Sequence, residues 1–214
     1  MADNQYQTWL WEQLGHRTIE NLKKNGFAGN FLSTAEEAGE FVTEMVREYN
    51  SFGFGGSATA RELNLPESLK QQGKTVYDHW DPQQDESDLT LRLKQGRCDC
   101  FICSANAISA TGEIVNVDGV GNRTNAMTFG CPNVVIVAGM NKVALDIDGA
   151  IRRIREIAGP MRARSLNMNT PCAETGICTD CNSPQRICRI TTILHRKPMM
   201  TEITVVLINQ ALGF

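Results

Sequence analysis

The sequence lacks the features of a secreted or membrane-embedded protein. No apolar run approaches the roughly 20 residues that cross a bilayer. The N-terminal stretch MADNQYQTWLWEQLGHR does not place a charged segment before an apolar one, as a signal peptide would. Charged residues make up 21% of the chain and apolar residues 42%, which is ordinary for a globular protein. The sequence therefore predicts a cytoplasmic protein without a membrane span.

The sequence also lacks the usual marks of a nucleic-acid-binding protein. It has no lysine run and no basic residues interleaved with aromatic ones. The net charge of −3 is unevenly divided, with −8 in residues 1–150 and +6 in residues 151–197. This basic segment could face a small anionic metabolite or thiolates of its own. Nucleic acid is the least favoured of the possible partners.

Apolar spacing and turn residues predict strands that alternate with helices. The clearest helix follows a capping box formed by Ser33 and Glu36, and a longer one is expected over residues 146–158. The run NVVIVA at 133–138 is apolar throughout, as in a strand buried on both faces. The pattern predicts an α/β fold, a layered sheet with helices on both faces. Without repeats or linkers, residues 1–214 are expected to form a single domain with a cysteine-rich segment at 170–188.

Four of the eight cysteines lie close together near the end of the sequence, in TPCAETGICTDCNSPQRIC. Thiolates bind soft or borderline metals, and a CxxC pair can place two ligands on one centre. The spacing matches neither a zinc ribbon nor the ferredoxin triplet. A zinc ion and an iron–sulfur cluster both remain open, as do free thiols or disulfides. The predicted metal ligands are Cys172, Cys178, Cys181 and Cys188.

A second group of cysteines lies in CDCFIC, on a predicted strand over 98–103. Because side chains alternate along a strand, Cys98 and Cys100 would share one face and Cys103 the other. The three are therefore not expected to bind one metal ion. Free cysteine is among the most buried residue types, so these residues and Cys131 are predicted to pack in the core.

A glycine-rich turn follows a predicted strand, in FGFGGSAT at 52–59. Uncovered backbone N–H groups can approach a phosphate or carboxylate, helped by the dipole of the following helix. The turn can equally be a tight connection that needs glycine. It is not a dinucleotide fingerprint, and the sequence has no nicotinamide or flavin motif. The predicted anion-binding residues here are Gly55, Gly56, Ser57 and Thr59.

Further polar residues cluster in the loops around 106–123 and 141–142. The ligand crevice of open α/β sheets lies where strand carboxyl ends meet their loops. Asx turns explain some of these residues, but they do not explain the charged ones. The predicted ligand-binding residues in these loops are Asn106, Asp118, Asn122, Arg123, Asn141 and Lys142.

Four stretches resemble, in order, successive motifs of the LUD (lactate utilization) domain family. They are FGFGGSATARELNL, SANAISATGEIVNVDGVGNR, VVIVAGMNKVALDIDGAI and TPCAETGICTDCNSPQRIC. The resemblance implies a fold similar to that of the sugar-phosphate isomerase and CoA-transferase group. It also implies a role in oxidising L-lactate to pyruvate, beside lactate-utilization subunits that hold iron–sulfur clusters. It carries over no catalytic residue, and the four-cysteine stretch is typical of only part of the family.

Part of the second stretch also resembles methylthioribose-phosphate isomerases, which have an acidic residue where this chain has Asn106. That similarity implies a phosphate or carboxylate ligand near residues 119–123, while the departure argues against the same isomerisation. Three functions therefore stay open. They are redox-linked metabolism of lactate or a similar hydroxy acid, a sugar-phosphate isomerase or acyl/CoA transferase, and a non-enzymatic regulatory or assembly subunit with a structural zinc clip.

Overall fold

The computed structural model describes residues 5–81 and 86–214. Residues 1–4 of the predicted domain lie outside the described part. The strands, in chain order, are Ala28–Leu32 (β1), Ser51–Phe54 (β2), Thr75–Asp78 (β3), Cys100–Cys103 (β4), Ala107–Ser109 (β5), Ile114–Asp118 (β6), Asn133–Gly139 (β7), Val143–Ala144 (β8), Ile190–Leu194 (β9) and Glu202–Ile208 (β10).

α-Helices alternate with these strands over much of the chain, as the sequence predicts. In chain order they are Gln5–Lys24 (α1), Ala35–Met45 (α2), Ala58–Glu62 (α3), Leu65–Gln71 (α4), Asp88–Gln95 (α5), Asn122–Thr128 (α6), Ile147–Arg153 (α7), Gly159–Ser165 (α8) and Pro171–Thr175 (α9).

The main layer is a parallel sheet with the strand order β1-β10-β7-β4-β2-β3. Apolar side chains of α1 and α6 pack on one face, and those of α2, α3 and α4 pack on the other. The central strand β7 is buried over nearly its whole length, because helices cover both faces of a parallel sheet. The predicted α/β fold, with a mostly parallel sheet flanked by helices, is confirmed.

A smaller sheet has the strand order β8-β5-β6-β9. Strands β5, β6 and β9 are antiparallel neighbours, whereas β8 runs parallel to β5. Ala107 and Val115 of this sheet pack against Ala150 and Ile154. The short strands β5 and β8 were not predicted, since two or three buried residues carry too little periodicity to distinguish a strand.

Two local predictions were wrong by small but informative amounts. The capping box is formed by Thr34 and Glu37, one residue later than expected: Thr34 accepts from the Glu37 N–H, and the Glu37 carboxylate accepts from the Ser33 N–H. The helix expected at 146–158 is not a regular α-helix throughout. Residues 154–158 form a π-helical turn, in which the Gly159 N–H donates to Ile154 O, before α8 begins. Pro160 explains the widening, because it has no N–H to donate and its ring crowds the preceding turn.

The predicted faces of the CDCFIC cysteines were also wrong. Strand β4 begins only at Cys100, so Cys98 lies in the turn before it, where side-chain alternation does not apply. Cys98 packs with Cys103 and Cys131 on one face of the main sheet, and Cys100 packs on the other. All four side chains are buried, as predicted.

Candidate functional site

A cleft with a volume of ≈ 240 Å³ opens at the carboxyl ends of β2, β3, β4 and β7. Each strand delivers its following loop to the cleft, because parallel strands end at the same edge of a sheet. The loop after β6 and the beginning of α6 close another side. Eight of the ten residues predicted to bind a ligand line this cleft, namely Gly55, Gly56, Ser57, Asn106, Asp118, Asn122, Arg123 and Lys142.

The other two predicted residues, Thr59 and Asn141, lie behind the cleft wall and hold the last residues of the chain. The Thr59 hydroxyl donates to Leu212 O over 3.3 Å. The Asn141 side chain accepts from the Leu212 N–H at 3.1 Å and donates to Gly213 O at 3.4 Å. Their position suits support of the cleft rather than direct contact with a ligand.

Lys142 carries a buried charge that forms no ion pair with the described residues. Its side chain is 4% exposed, and its ammonium group donates to Thr59 Oγ1 at 2.8 Å and to Ser104 Oγ at 2.9 Å. Within residues 5–81 and 86–214, no Asp or Glu lies within ion-pair distance of it. Burial, followed by the nearby charges of Arg153 and Arg123, lowers the pKa of Lys142 to about 7. The cleft therefore contains an amine that can gain or lose a proton near neutral pH.

Arg123 is held mainly by the protein itself. Its Nε and Nη2 atoms reach Asp118 Oδ1 at 2.9 and 2.5 Å, and Nη2 also donates to Asn106 Oδ1 at 2.8 Å. Asp118 in addition accepts from the Thr124 N–H at 3.0 Å. The Asp118–Arg123 pair thus fixes the loop after β6 against the beginning of α6. Most of the guanidinium donors are already used, so Arg123 has little capacity left for a ligand.

The glycine turn is explained by tight packing. A side chain at Gly55 would approach Phe101 to 2.7 Å, and Gly56 adopts a φ of +62°, a conformation that favours glycine. Ser57 Oγ caps the short helix α3 by accepting from the Ala60 N–H. Because α3 has only five residues, its dipole adds little to anion binding. The turn shapes the cleft, and anion binding by Gly55, Gly56 and Ser57 stays a prediction.

The sequence reading did not include Arg162, which reaches the cleft from α8. Its guanidinium lies 4.6 Å from the Trp80 ring centroid, and Arg61 lies 4.4 Å from the same ring. Arg61 is paired with Asp78 at 2.6 Å. Arg162, by contrast, makes one long hydrogen bond, to Ser165 Oγ at 3.3 Å. Burial lowers the pKa of Arg162, and its other guanidinium donors have no hydrogen-bond partner within residues 5–81 and 86–214.

His79 was also missed as a cleft residue, although it directly follows β3. Gln95 Nε2 lies 2.9 Å from His79 Nδ1. Because an amide nitrogen only donates, Nδ1 accepts and the ring proton is on Nε2. A side chain at Gly56 would lie 3.1 Å from His79 Nε2 and 3.4 Å from Trp80 Nε1. Burial lowers the pKa of His79, so near neutral pH it acts as a neutral N–H donor beside the glycine turn.

The charge of the cleft lining favours an anion. Among the described residues that line it, the acidic residue is Asp118, which Arg123 already neutralises. Arg92 is partly used by Asp88 at 2.9 Å and by Asn122 at 3.2 Å. Lys142 and Arg162 are left without carboxylate partners in this part of the chain. His79 and Trp80 directly follow β3 and could have been found as strand-end residues, whereas Arg162 lies on α8 and had no such signal in the sequence.

The four predicted metal-ligand cysteines line a second cavity, of ≈ 260 Å³. Cys172 lies in α9 and the other three in the loop that leads to β9. All four are free and partly exposed. In the described ranges, no three His, Cys, Asp or Glu side chains are placed to hold a single ion. The structure therefore brings the four thiols around one space but does not gather them at one point.

Arg186 holds the cysteine loop in shape. Its guanidinium donates to Cys188 O and Cys181 O, each at 2.7 Å, and pairs with Asp180 at 2.7 Å. Arg189 donates to Arg186 O at 2.9 Å. These bonds fix the backbone of the loop that contains Cys178, Cys181 and Cys188, and they leave the thiols free.

The core cysteines have a different chemistry. Burial raises the pKa of the Cys103 thiol to about 12 and that of Cys100 well above its usual value. Cys98 Sγ lies 3.6 Å from Cys131 Sγ, and this contact together with burial raises the pKa of Cys98. Such thiols stay protonated and unreactive at neutral pH.

Within residues 5–81 and 86–214, no helix combines the length and apolar character needed to cross a bilayer.

Comparison with known proteins identifies the family. The family model described as LUD domain matches residues 15–208. A crystal structure of a DUF162 family protein from Deinococcus radiodurans superposes with a TM-score of 0.54, at 12% identity, over 92% of this chain and 98% of that chain. That likeness supports the fold alone. Among curated proteins, none matches the chain. Since the model spans most of the sequence, the chain belongs to the LUD domain family.

Proposed function

We propose that the cleft at the carboxyl ends of the strands binds a small carboxylate, L-lactate or a similar hydroxy acid, in a lactate-utilization system. The family is associated with lactate utilization, and the cleft chemistry fits such a ligand. Other subunits of the system would be its partners. The observation that carries the proposal is Lys142, a buried ammonium group beside the cleft without a carboxylate partner in the described chain.

A buried, unpaired charge costs free energy, because it loses its hydration. Lys142 keeps two hydroxyl partners, which compensate only partly. A bound carboxylate would supply the missing opposite charge. Binding would thus offset the desolvation free energy of the Lys142 ammonium group, which favours a carboxylate at this position.

Arg162 supplies a second contact for the same ligand. Its guanidinium is held in place by stacking on Trp80, and it retains donors in the planar arrangement that suits a carboxylate. His79 Nε2–H and Trp80 Nε1–H lie near Gly56 and suit a hydroxyl group on the ligand. A small 2-hydroxy acid carries both groups, a carboxylate for Lys142 and Arg162 and a hydroxyl for His79 and Trp80.

The test is calorimetric titration of the protein with L-lactate, pyruvate and inorganic phosphate at pH 6.5. We expect the hydroxy acid to bind, and Lys142→Met to weaken its binding at least tenfold. Lys70→Met is the matched control, because Lys70 pairs with Glu67 and Asp81 at the surface. Lactate affinity that Lys142→Met leaves unchanged, or the absence of binding by lactate and pyruvate, would contradict the proposal. Tighter binding of phosphate than of lactate would indicate a phosphorylated ligand.

A second candidate is an isomerase or transferase of the kind that moves a proton. It is favoured by the position of Lys142, an amine that lines the cleft and is 4% exposed. Burial lowers its pKa to about 7, which suits a general base. In that case Lys142 would take a proton from a carbon atom next to the carbonyl of a phosphorylated sugar. Exchange of that proton with deuterated water, lost in Lys142→Met, distinguishes this reaction from simple binding of a hydroxy acid.

A further inference from the structure

We propose that the cavity lined by the four cysteines holds an iron–sulfur cluster, with Cys172, Cys178, Cys181 and Cys188 as its thiolate ligands. This inference concerns a second site and does not depend on what the anion cleft binds. It rests on the arrangement of the thiols, the size of the space between them, and the charges that surround it.

The first argument is that four chain positions with the same chemistry surround one space. The cysteines come from α9 and from the loop before β9, and all four line the ≈ 260 Å³ cavity. Sequence spacing alone does not require this, since the first and the last cysteine are sixteen positions apart. Four thiolates are the ligand set of the common iron–sulfur clusters.

The second argument distinguishes a cluster from a zinc ion. Four sulfur atoms that share one zinc lie roughly 4 Å from each other, because each Zn–S bond is about 2.3 Å long. A cluster places several iron and sulfide atoms between its ligands, so its four thiolates surround a larger space. The four cysteines line one cavity of ≈ 260 Å³, which leaves room for such a group between them.

The third argument is charge. Four thiolates leave either centre with a net negative charge. Arg155 and Arg186 line the same cavity as the thiols, and Asp180 is the acidic residue among the described lining. Asp180 is shared between the two arginines, at 3.7 and 2.7 Å. The excess positive charge stabilises an anionic cluster.

The fourth argument is the rest of the wall. Val115, Val117, Ile151, Ile154 and Ile187 contribute apolar groups to the cavity wall, which would limit solvent access to a cluster. The cysteines are partly exposed, which leaves a route for assembly. The Arg186 hydrogen bonds to Cys181 O and Cys188 O hold the loop without engaging sulfur.

The cavity and the anion cleft share a wall. Asn106, Val117, Ala158, Arg162 and Ile187 line both spaces. A cluster would therefore be separated from a ligand in the cleft by about one layer of side chains, and Arg162 would lie between the two negative charges. The two proposed sites are therefore neighbours. Neither proposal depends on the other being correct.

The experiment is purification of the full chain without oxygen, followed by anaerobic reconstitution with ferrous iron and sulfide. We expect iron and acid-labile sulfide in equal amounts, about four of each per chain. A broad visible absorption should bleach on addition of dithionite. Zinc bound stoichiometrically without sulfide would overturn the proposal, as would protein that stays colourless after reconstitution.

Variants locate the cluster. Cys178→Ser and Cys181→Ser should each lose most of the iron and sulfide. Asn182→Ala, an exposed change in the same loop, and Cys98→Ser, a change in the core, should retain them. Circular dichroism identifies any variant that fails to fold, and Cys172→Ala and Cys188→Ala then replace it. Full iron and sulfide content in the folded Cys178→Ser and Cys181→Ser proteins would exclude the four-cysteine cavity as the site. Lactate titration is measured separately, so failure of the cleft proposal is distinguishable from failure of this one.

Discussion

The ammonium group of Lys142 donates to the hydroxyl oxygen of Thr59 over 2.8 Å at the wall of the cleft. Both residues were predicted to contact a ligand, yet Thr59 holds the lysine and the end of the chain instead. A hydroxyl group orients the ammonium but does not cancel its charge. This relationship leads to the first two predictions.

Replacement of Lys142 by methionine should increase stability at acidic pH. At pH 6 the variant should unfold with a free energy about 1 kcal/mol higher than the wild type, because a buried unpaired charge is replaced by an apolar chain of similar length. Between pH 7 and 10 the unfolded wild-type chain binds more protons at this position than the folded one, so wild-type stability rises with pH. The advantage of the variant should therefore shrink as the pH rises. Urea unfolding over this pH range measures the difference in the free energy of unfolding. A variant less stable than the wild type at pH 6 would contradict a destabilising buried charge at Lys142.

Anion affinity should depend on pH through the same group. Below pH about 7 Lys142 is protonated in the free protein and attracts an anion. Above that value the proton must be taken up on binding, so the affinity should fall, approaching about tenfold per pH unit. Titration of lactate between pH 6 and 9 tests this, with Lys142→Met as the pH-independent control. An affinity that is flat across the range would mean that Lys142 does not contact the anion.

Removal of the guanidinium at Arg162 should weaken anion binding with little effect on folding. Arg162→Gln should lower the affinity for lactate about tenfold, since a charge-assisted contact contributes about 1.5 kcal/mol or more. Arg164→Gln is the matched control on the same helix, because Arg164 is exposed and makes one hydrogen bond of 3.4 Å. Equal effects of the two changes in calorimetry would indicate a general charge effect rather than a contact.

Replacement of Arg123, unlike that of Arg162, should lower the free energy of unfolding strongly. Arg123→Gln leaves Asp118 buried without its partner, and we expect a loss of about 3 kcal/mol in the free energy of unfolding. The side chains of this pair are 13% and 8% exposed. Arg47→Gln breaks an exposed pair instead and should cost less than about 1 kcal/mol. Chemical denaturation of the two variants gives the comparison, and a loss at Arg123 no larger than that at Arg47 would show that the buried pair is not a structural element.

A ligand in the cleft should alter the spectrum of the proposed cluster. Since Arg162 lines both spaces, a bound carboxylate would draw positive charge away from the cluster. Lactate added to the reduced, reconstituted protein should change its electron paramagnetic resonance signal, and Arg162→Gln should abolish the change. This prediction rests on both proposals. An unchanged signal in protein that binds both lactate and iron would show that the two sites act independently.

Much of the architecture could be predicted because its signals are local. The strand over 133–138 follows from its continuous apolar run, and it exists as β7. Boundaries were less accurate where two residues compete for one role. Thr34 rather than Ser33 caps α2, since both hydroxyl residues have a glutamate three positions later and sequence alone does not rank them.

The candidate site could be predicted in part for the same reason. The strand-end rule identified Lys142, which follows β7, because loops after parallel strands converge at one edge of the sheet. Arg162 could not be found in this way, since it lies on α8 rather than in a strand-end loop. Its place in the cleft depends on how α8 packs, which the sequence does not give. Nor could the sequence reveal that Arg123 is occupied by Asp118, because that depends on distances rather than on composition.

The stacking of Trp80 between Arg61 and Arg162 also has a practical consequence. Indole emission is sensitive to nearby charge, and the other two tryptophans of the chain, Trp9 and Trp11, lie on α1, far along the sequence from this ring. Trp80 lines the cleft, so a ligand that displaces charge near its ring should shift the wavelength of its emission. Binding could therefore be followed on unlabelled protein by intrinsic fluorescence.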